Sequence, residues 1–162
     1  MDGDAGTIGW RRGHFPADRF EFHRLNMFSS VYNPDGDASE PDLPVASGAV
    51  HFIICGSPFT HLVEKGLAYY LRQIHRALWP GGLAYATFFS VAHLRASLGG
   101  RFTLAHRMGR AYVALSMYPE ATVAYEEGFL LGSMRELGFS DVQVKPADEW
   151  RGMLRSTVLL RK

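Results

Sequence analysis

The chain has 162 residues, 47% of them hydrophobic and 20% charged, with a formal net charge of +1. That is enough for one core and too little for two comfortable domains, so a single domain over 1–162 is expected. The near-neutral balance gives no electrostatic reason to expect nucleic acid or a membrane surface as partner.

The lone Cys55 excludes an internal disulfide and fits a reducing compartment. No window approaches the ~18 uninterrupted apolar residues of a membrane span, and the N-terminus lacks a basic-then-apolar signal pattern. The expected location is the cytoplasm.

In chain order, residues 5–14 read as a short helix stopped by Pro16. "FEFHRLNMF" (20–28) alternates Phe20 and Phe22 with polar positions and predicts a strand. Residues 29–48 carry Asp35, Asp37, Glu40 and Asp42 among three prolines and no Lys or Arg, which predicts an acidic loop. "AVHFIICGS" (49–57) is a continuous apolar run ended by glycine. It predicts a strand buried on both faces, as in a parallel sheet.

Leu67, Leu71, Ile74 and Leu78 are spaced four, three and four, one apolar stripe on a helix over 64–78. Pro80-Gly81-Gly82 should stop that helix and turn it into a buried strand over 83–90. Strand, helix and strand with short links make a parallel βαβ unit. Residues 91–125 have mixed helix-and-loop character, with Arg95, Arg101, Arg107 and Arg110 and no acid between 93 and 110. A helix over 125–137 then ends at Gly138. Two strands follow, "FSDVQVKP" and "GMLRSTVLLRK".

This order and these motifs resemble the second half of the class I S-adenosylmethionine-dependent methyltransferases. "VHFIICGSPFTHL" resembles the family's fourth-strand block, with His51 where the family commonly shows Asp. "YYLRQIHRALWPGGLAYATFF" resembles the next block, a helix ending Arg-x-Leu-x-Pro-Gly-Gly before the fifth strand. "YPEATVAYEEGFLLGSMRELGF" is similar to the region after that strand, and "DAGTIGWRRGHFP" and "FEFHRLNM" to the stretch past the second strand and to the third. The fold implied is α/β: a Rossmann-like methyltransferase sheet, mostly parallel with an antiparallel C-terminal strand, lacking the first two strands.

The family's cofactor site opens with an acidic strand end and a glycine-rich loop that lets the backbone approach the ligand. Gly3, Gly6 and Gly9 follow no apolar run and do not supply it. The resemblance therefore implies S-adenosylmethionine-dependent methyl transfer to an unidentified acceptor, truncated and weak or inactive alone. The alternative is a non-catalytic interaction module, or half of a split enzyme, whose strand 49–56 is covered by residues 20–26, a second copy or another chain.

Carried over residue by residue, the cofactor-binding candidates are Asp2 (ribose carboxylate), Asn26 and Met27 (adenine), and Gly56, Ser57 and Phe59 after the fourth strand. No catalytic residue is assigned. His61 could serve as a base but more naturally orders the strand–helix junction. The other histidines and Cys55 match no compact metal motif, and "CGSPF" is not a nucleophile elbow. The arginines of 93–110 read either as a lid attracting an anionic acceptor or as solvated surface and a contact for the acidic loop. Tyr112, Tyr118 and Tyr125 read as pocket lining or packing.

Overall fold

The computed structural model describes residues 1–37, 40–98, 103–147 and 154–162. They fall into two compact units, residues 1–44 and 45–162. Arg101 and residues 152–153 of the last expected strand lie outside the described residues.

The first unit holds α1, Ala5–His14, over the expected range. Asp4 caps it: its carboxylate accepts the Thr7 backbone N–H, which satisfies one of the orphan donors of the first turn. That bond also holds the Asp4 carboxyl below its usual range. Residues 20–28 are not a strand, which corrects the expectation. Among the described residues their ladder-like contacts are single bridges, Asp2 to Arg24 and Met27 to Asp37.

Alternation alone does not make a strand; a length of partner backbone must accompany it. Phe20 and Phe22 stack at 6.2 Å and both lean on Phe15, so local aromatic contacts replace pairing. Buried Asn33 then organises the loop that follows. Its amide donates to Met27 O at 2.9 Å and its carbonyl oxygen accepts from Arg24 at 3.1 Å.

The second unit is built on β1 (Val50–Cys55), α2 (Glu64–Ala77) and β2 (Leu78–Ser90). β1 and β2 pair in parallel, as the βαβ reading requires. After β2 come α3 (Val91–Leu98), β3 (His106–Met108), β4 (Ala111–Val113), β5 (Val123–Tyr125) and α4 (Glu127–Glu136). β6 (Asp141–Lys145) and β7 (Ser156–Arg161) end the chain. β7 lies antiparallel on β2 and carries β6 on its other edge, while β3, β4 and β5 join the end of β2 through Phe89 and Ser90.

α2, α4 and β2 supply much of the core of this unit. Leu67, Leu71 and Ile74 of α2 and Leu130 and Met134 of α4 are buried, as are Ala84, Ala86 and Phe88 of β2. Each large apolar side chain buried this way stabilises the fold by roughly 1.5–3 kcal/mol.

Two expectations need correction. β2 begins at Leu78, so Pro80-Gly81-Gly82 lies inside the strand rather than ahead of it. Pro80 disfavours a helical backbone at Trp79, and the helix gives way at Leu78, whose N–H still reaches Ile74 O. The register then jumps from Val50↔Leu78 to Phe52↔Leu83, and the extra residues bulge out against His51. Gly81 takes φ +81°, and a Cβ on Gly82 would lie 2.9 Å from Trp79 O and 3.1 Å from His51 O. Both glycines are therefore demanded by backbone.

The second correction concerns β1. Among the described residues its one ladder partner is β2. It is an edge strand, with Phe52 51% and Ile54 68% exposed, and is not buried on both faces.

Candidate functional site

The carboxyl end of β1, beside β2, is where open α/β sheets place ligands. The chain leaves β1 through Gly56 and Ser57 into a short 3-10 turn, Pro58–Thr60. Ser57 sits at φ +85°, the only non-glycine in the left-handed region among the described residues. A serine held there costs free energy, roughly 1–3 kcal/mol, and persists only where neighbours over-determine it.

Those neighbours are visible. The Ser57 N–H donates to Thr87 Oγ1 at 2.9 Å, and its carbonyl accepts from Thr60 N at 2.8 Å and Thr60 Oγ1 at 2.7 Å. His61 Nδ1 donates to the Glu120 carbonyl at 2.9 Å, which fixes its tautomer and leaves it a junction residue. The buried Tyr125 hydroxyl donates to Leu62 O at 2.6 Å. Burial, and next the charge of Glu64, push that phenol's pKa up, so it stays a donor at neutral pH. Residues 57–62 are thus tied down from β2, from residue 120 and from β5.

Within that frame the three candidates of this unit differ. Gly56 is exposed, its φ is ordinary, and a Cβ there would meet nothing within 4 Å. Neither packing nor backbone conformation requires glycine at this position, and the space beside it is open. Ser57 carries the strain. Phe59 is 1% exposed and belongs to the core, so it supports the turn from behind.

The candidates of the first unit are engaged within that unit. Asp2 accepts from Asp4 N at 3.2 Å and pairs with Arg11 at 3.6 Å. Asn26 donates to Asp37 at 3.0 Å and accepts from Asn33 at 3.2 Å. Met27 lends its carbonyl to Asn33 and its side chain is half-buried. Asp2 and Asn26 meet a ligand only by sharing or exchanging these bonds.

The described arginines of the basic segment do not gather into one anion site. Arg107 lies over Tyr112 at 5.8 Å, Arg95 over the same ring at 5.5 Å, and Arg110 over Phe129 at 5.7 Å. Arg107 and Arg110 line a shallow cleft of about 630 Å³ against α4, together with Glu126 and Glu136. Two arginines facing two glutamates leave it without net charge. Tyr112 donates to Glu126 at 2.9 Å, Tyr118 is 45% exposed, and Tyr125 is wholly packed.

His75 of α2 is half-buried edge-on to Phe139 at 5.1 Å. Among the described residues no three His, Cys, Asp or Glu side chains converge as a metal site would need. No helix there is long and apolar enough to cross a membrane.

Solved proteins share this fold. A SAM-dependent methyltransferase from Methanosarcina mazei superposes with a TM-score of 0.61 at 15% identity, over 99% of this chain and 79% of that one. This is a class I methyltransferase-like fold. Human N-acetylserotonin methyltransferase, solved with SAM, matches with a TM-score of 0.61 at 15% identity, over 99% of this chain and 39% of its own. The SAM-dependent methyltransferase SibL in its apo form matches with a TM-score of 0.59 at 16% identity, over all of this chain and 42% of that one. The methyltransferase-like chain thus spans less than half the length of two of these three proteins. No protein-family model matches it.

Thr87 and Thr60 have no sequence signal as supports of this turn, and of the two readings of Tyr125 packing is the one observed. A hydroxyl within "AYATFF" carries no sign of a partner thirty residues upstream. Asn33, in "VYNPDG", had a turn signature but none for its role as hub.

Proposed function

We propose that the chain corresponds to the part of a SAM-dependent methyltransferase from just after the second strand to the C-terminus, which transfers a methyl group to an unidentified acceptor and is weak or inactive alone. One observation carries the reading: at the carboxyl end of the parallel β1–β2 pair, a glycine that packing does not require precedes a serine held in a strained backbone. The methyltransferase-like fold supports it.

Gly56 and Ser57 would meet the methionine end of S-adenosylmethionine, and the residues there fit, since the Gly56 side is open and the turn is already rigid. Within the first unit, Asp2, Asn26 and Met27 are the ribose and adenine candidates that the resemblance gives. The sulfonium is reactive in itself, so the chain's contribution is to bind, align and exclude water rather than to move protons. With Asp2 and Asn26 already bonded inside their own unit, that contribution is expected to be incomplete. The compartment taken with this reading is the cytoplasm.

Isothermal titration of the purified chain with S-adenosylhomocysteine tests it. Micromolar binding supports the reading, and no heat at millimolar ligand rejects a cofactor site in this chain.

A second reading has its own observation: β1 presents an uncharged edge with exposed Phe52 and Ile54. Natural edges are normally blunted by charge or proline. On this reading the chain is an interaction module that pairs the edge with a second copy or another chain. Light scattering that shows a monomer at high concentration would remove the second-copy form.

A further inference from the structure

The strained backbone at Ser57 has a specific holder. We propose that Thr87 is a positioning residue: its hydroxyl accepts the Ser57 N–H and so keeps the Gly56–Ser57 turn in the left-handed conformation that presents it to ligand. The ligand half of this statement rests on the cofactor reading above; the backbone half does not.

Thr87 stands on β2 in a run otherwise made of Ala, Tyr and Phe, "AYATFF". Ala86 pairs with Cys55, the last residue of β1, so Thr87 lies one step beyond the ladder, level with the turn. Its Oγ1 takes the Ser57 N–H at 2.9 Å. The other side of the same residue is held by Thr60, fully buried, whose N–H and hydroxyl both reach the Ser57 carbonyl. One peptide group on each side of Ser57 is thereby fixed, and these are the two groups whose rotation would relax φ from +85°. Left-handed geometry at a serine has to be held by contacts such as these, because nothing local favours it.

A cycle of variants separates a clamp from ordinary packing. Thr87→Val keeps the shape of the side chain and removes the acceptor. It should lower the melting temperature by about 3–8 °C, the range expected when a sheltered N–H loses its partner. Thr87→Ser restores the acceptor and should recover most of that loss.

Ser57→Gly removes the strain that needs holding, so Thr87→Val on top of Ser57→Gly should cost less than half of what it costs alone. An equal loss with and without Ser57→Gly would mean that Thr87 merely packs, and would overturn the proposal. Tyr125→Phe serves as control: it frees the Leu62 carbonyl, and its loss should be the same in both backgrounds.

The ligand arm is read separately with S-adenosylhomocysteine. Thr87→Val should weaken binding at least tenfold, and Thr87→Ser by less than threefold. If the unaltered chain binds none, the cofactor reading fails while the cycle still decides the clamp. If the unaltered chain binds and Thr87→Val binds equally well, the positioning role fails.

Discussion

β1 and β2 are both apolar runs ending near a small residue, and in sequence they look interchangeable. In the structure they are opposites. β2 lies between β1 and β7, and its Ala84, Ala86 and Phe88 are wholly buried. β1 has a ladder partner on one edge only among the described residues and leaves Phe52 and Ile54 largely exposed. An apolar run therefore announces a strand but not its place in the sheet, because burial is conferred by neighbours that lie elsewhere in the chain.

The largest test of this contrast is truncation. Phe88→Ala should cost about 3–5 kcal/mol, since it empties a fully enclosed site on the central strand. Ile54→Ala should cost about 0.5 kcal/mol or less, as for any exposed side chain. Denaturant unfolding of the two variants reads the difference. Comparable losses would mean that β1 is covered in solution, which would favour the interaction-module reading.

The glycines sharpen the same contrast at the level of the backbone. Gly82→Ala drives a Cβ into carbonyls of both strands and should cost about 1–3 kcal/mol. Gly56→Ala has open space and an ordinary φ. It should leave stability unchanged or raise it by about 0.4–1 kcal/mol, by restricting the unfolded chain. If Gly56 is small for a ligand's sake, the same variant should weaken S-adenosylhomocysteine binding while its melting curve holds.

What could be read in the sequence follows a physical line. α1 and α2 were legible because their signals are local: a stop at Pro16, and one apolar stripe at helical spacing. β1 and β2 were legible as strands for the same reason, although Pro80-Gly81-Gly82, expected ahead of β2, lies inside it. The bulge it forms inside β2 depends on His51 and Trp79 approaching across the pair, which no local pattern encodes. Residues 20–28 were misread because Phe20 and Phe22 alternate without a partner strand. At the site, Gly56 and Ser57 came from resemblance, while the Thr87 bond that holds Ser57 spans thirty residues of chain and had no signal.

A smaller effect should appear at the end of α2 that feeds β2. His75 titrates below its ordinary value, first because burial against Phe139 disfavours its charge and second because Lys162 repels it. The folded state thus binds the proton less readily than the unfolded one. Its stabilising preference for the neutral ring is fully present above the unfolded value near 6.5 and is lost as pH falls through the folded one. Melting temperatures taken from pH 7.5 down to 5 should show a decline that is shallower in His75→Gln. An identical slope in that variant would assign the decline to other groups.

The finest probe reports the two faces of β1 one residue apart and needs no loss of stability. Cys55 shares a face with Ile53 and pairs with the buried Ala86, and burial pushes its thiol pKa up to about 11. The reactive thiolate is thereby depleted roughly a hundredfold against the ordinary value of 9.0. Ile54 points the other way and is 68% exposed. Iodoacetamide at pH 8 should therefore modify native Cys55 slowly and accelerate sharply on adding denaturant. Ile54→Cys in a Cys55→Ala background should react at nearly the rate of a free thiol. Slow reaction at both positions would mean that something covers the outer face of β1 as well, and rapid reaction at both would mean that the strand does not stay on β2.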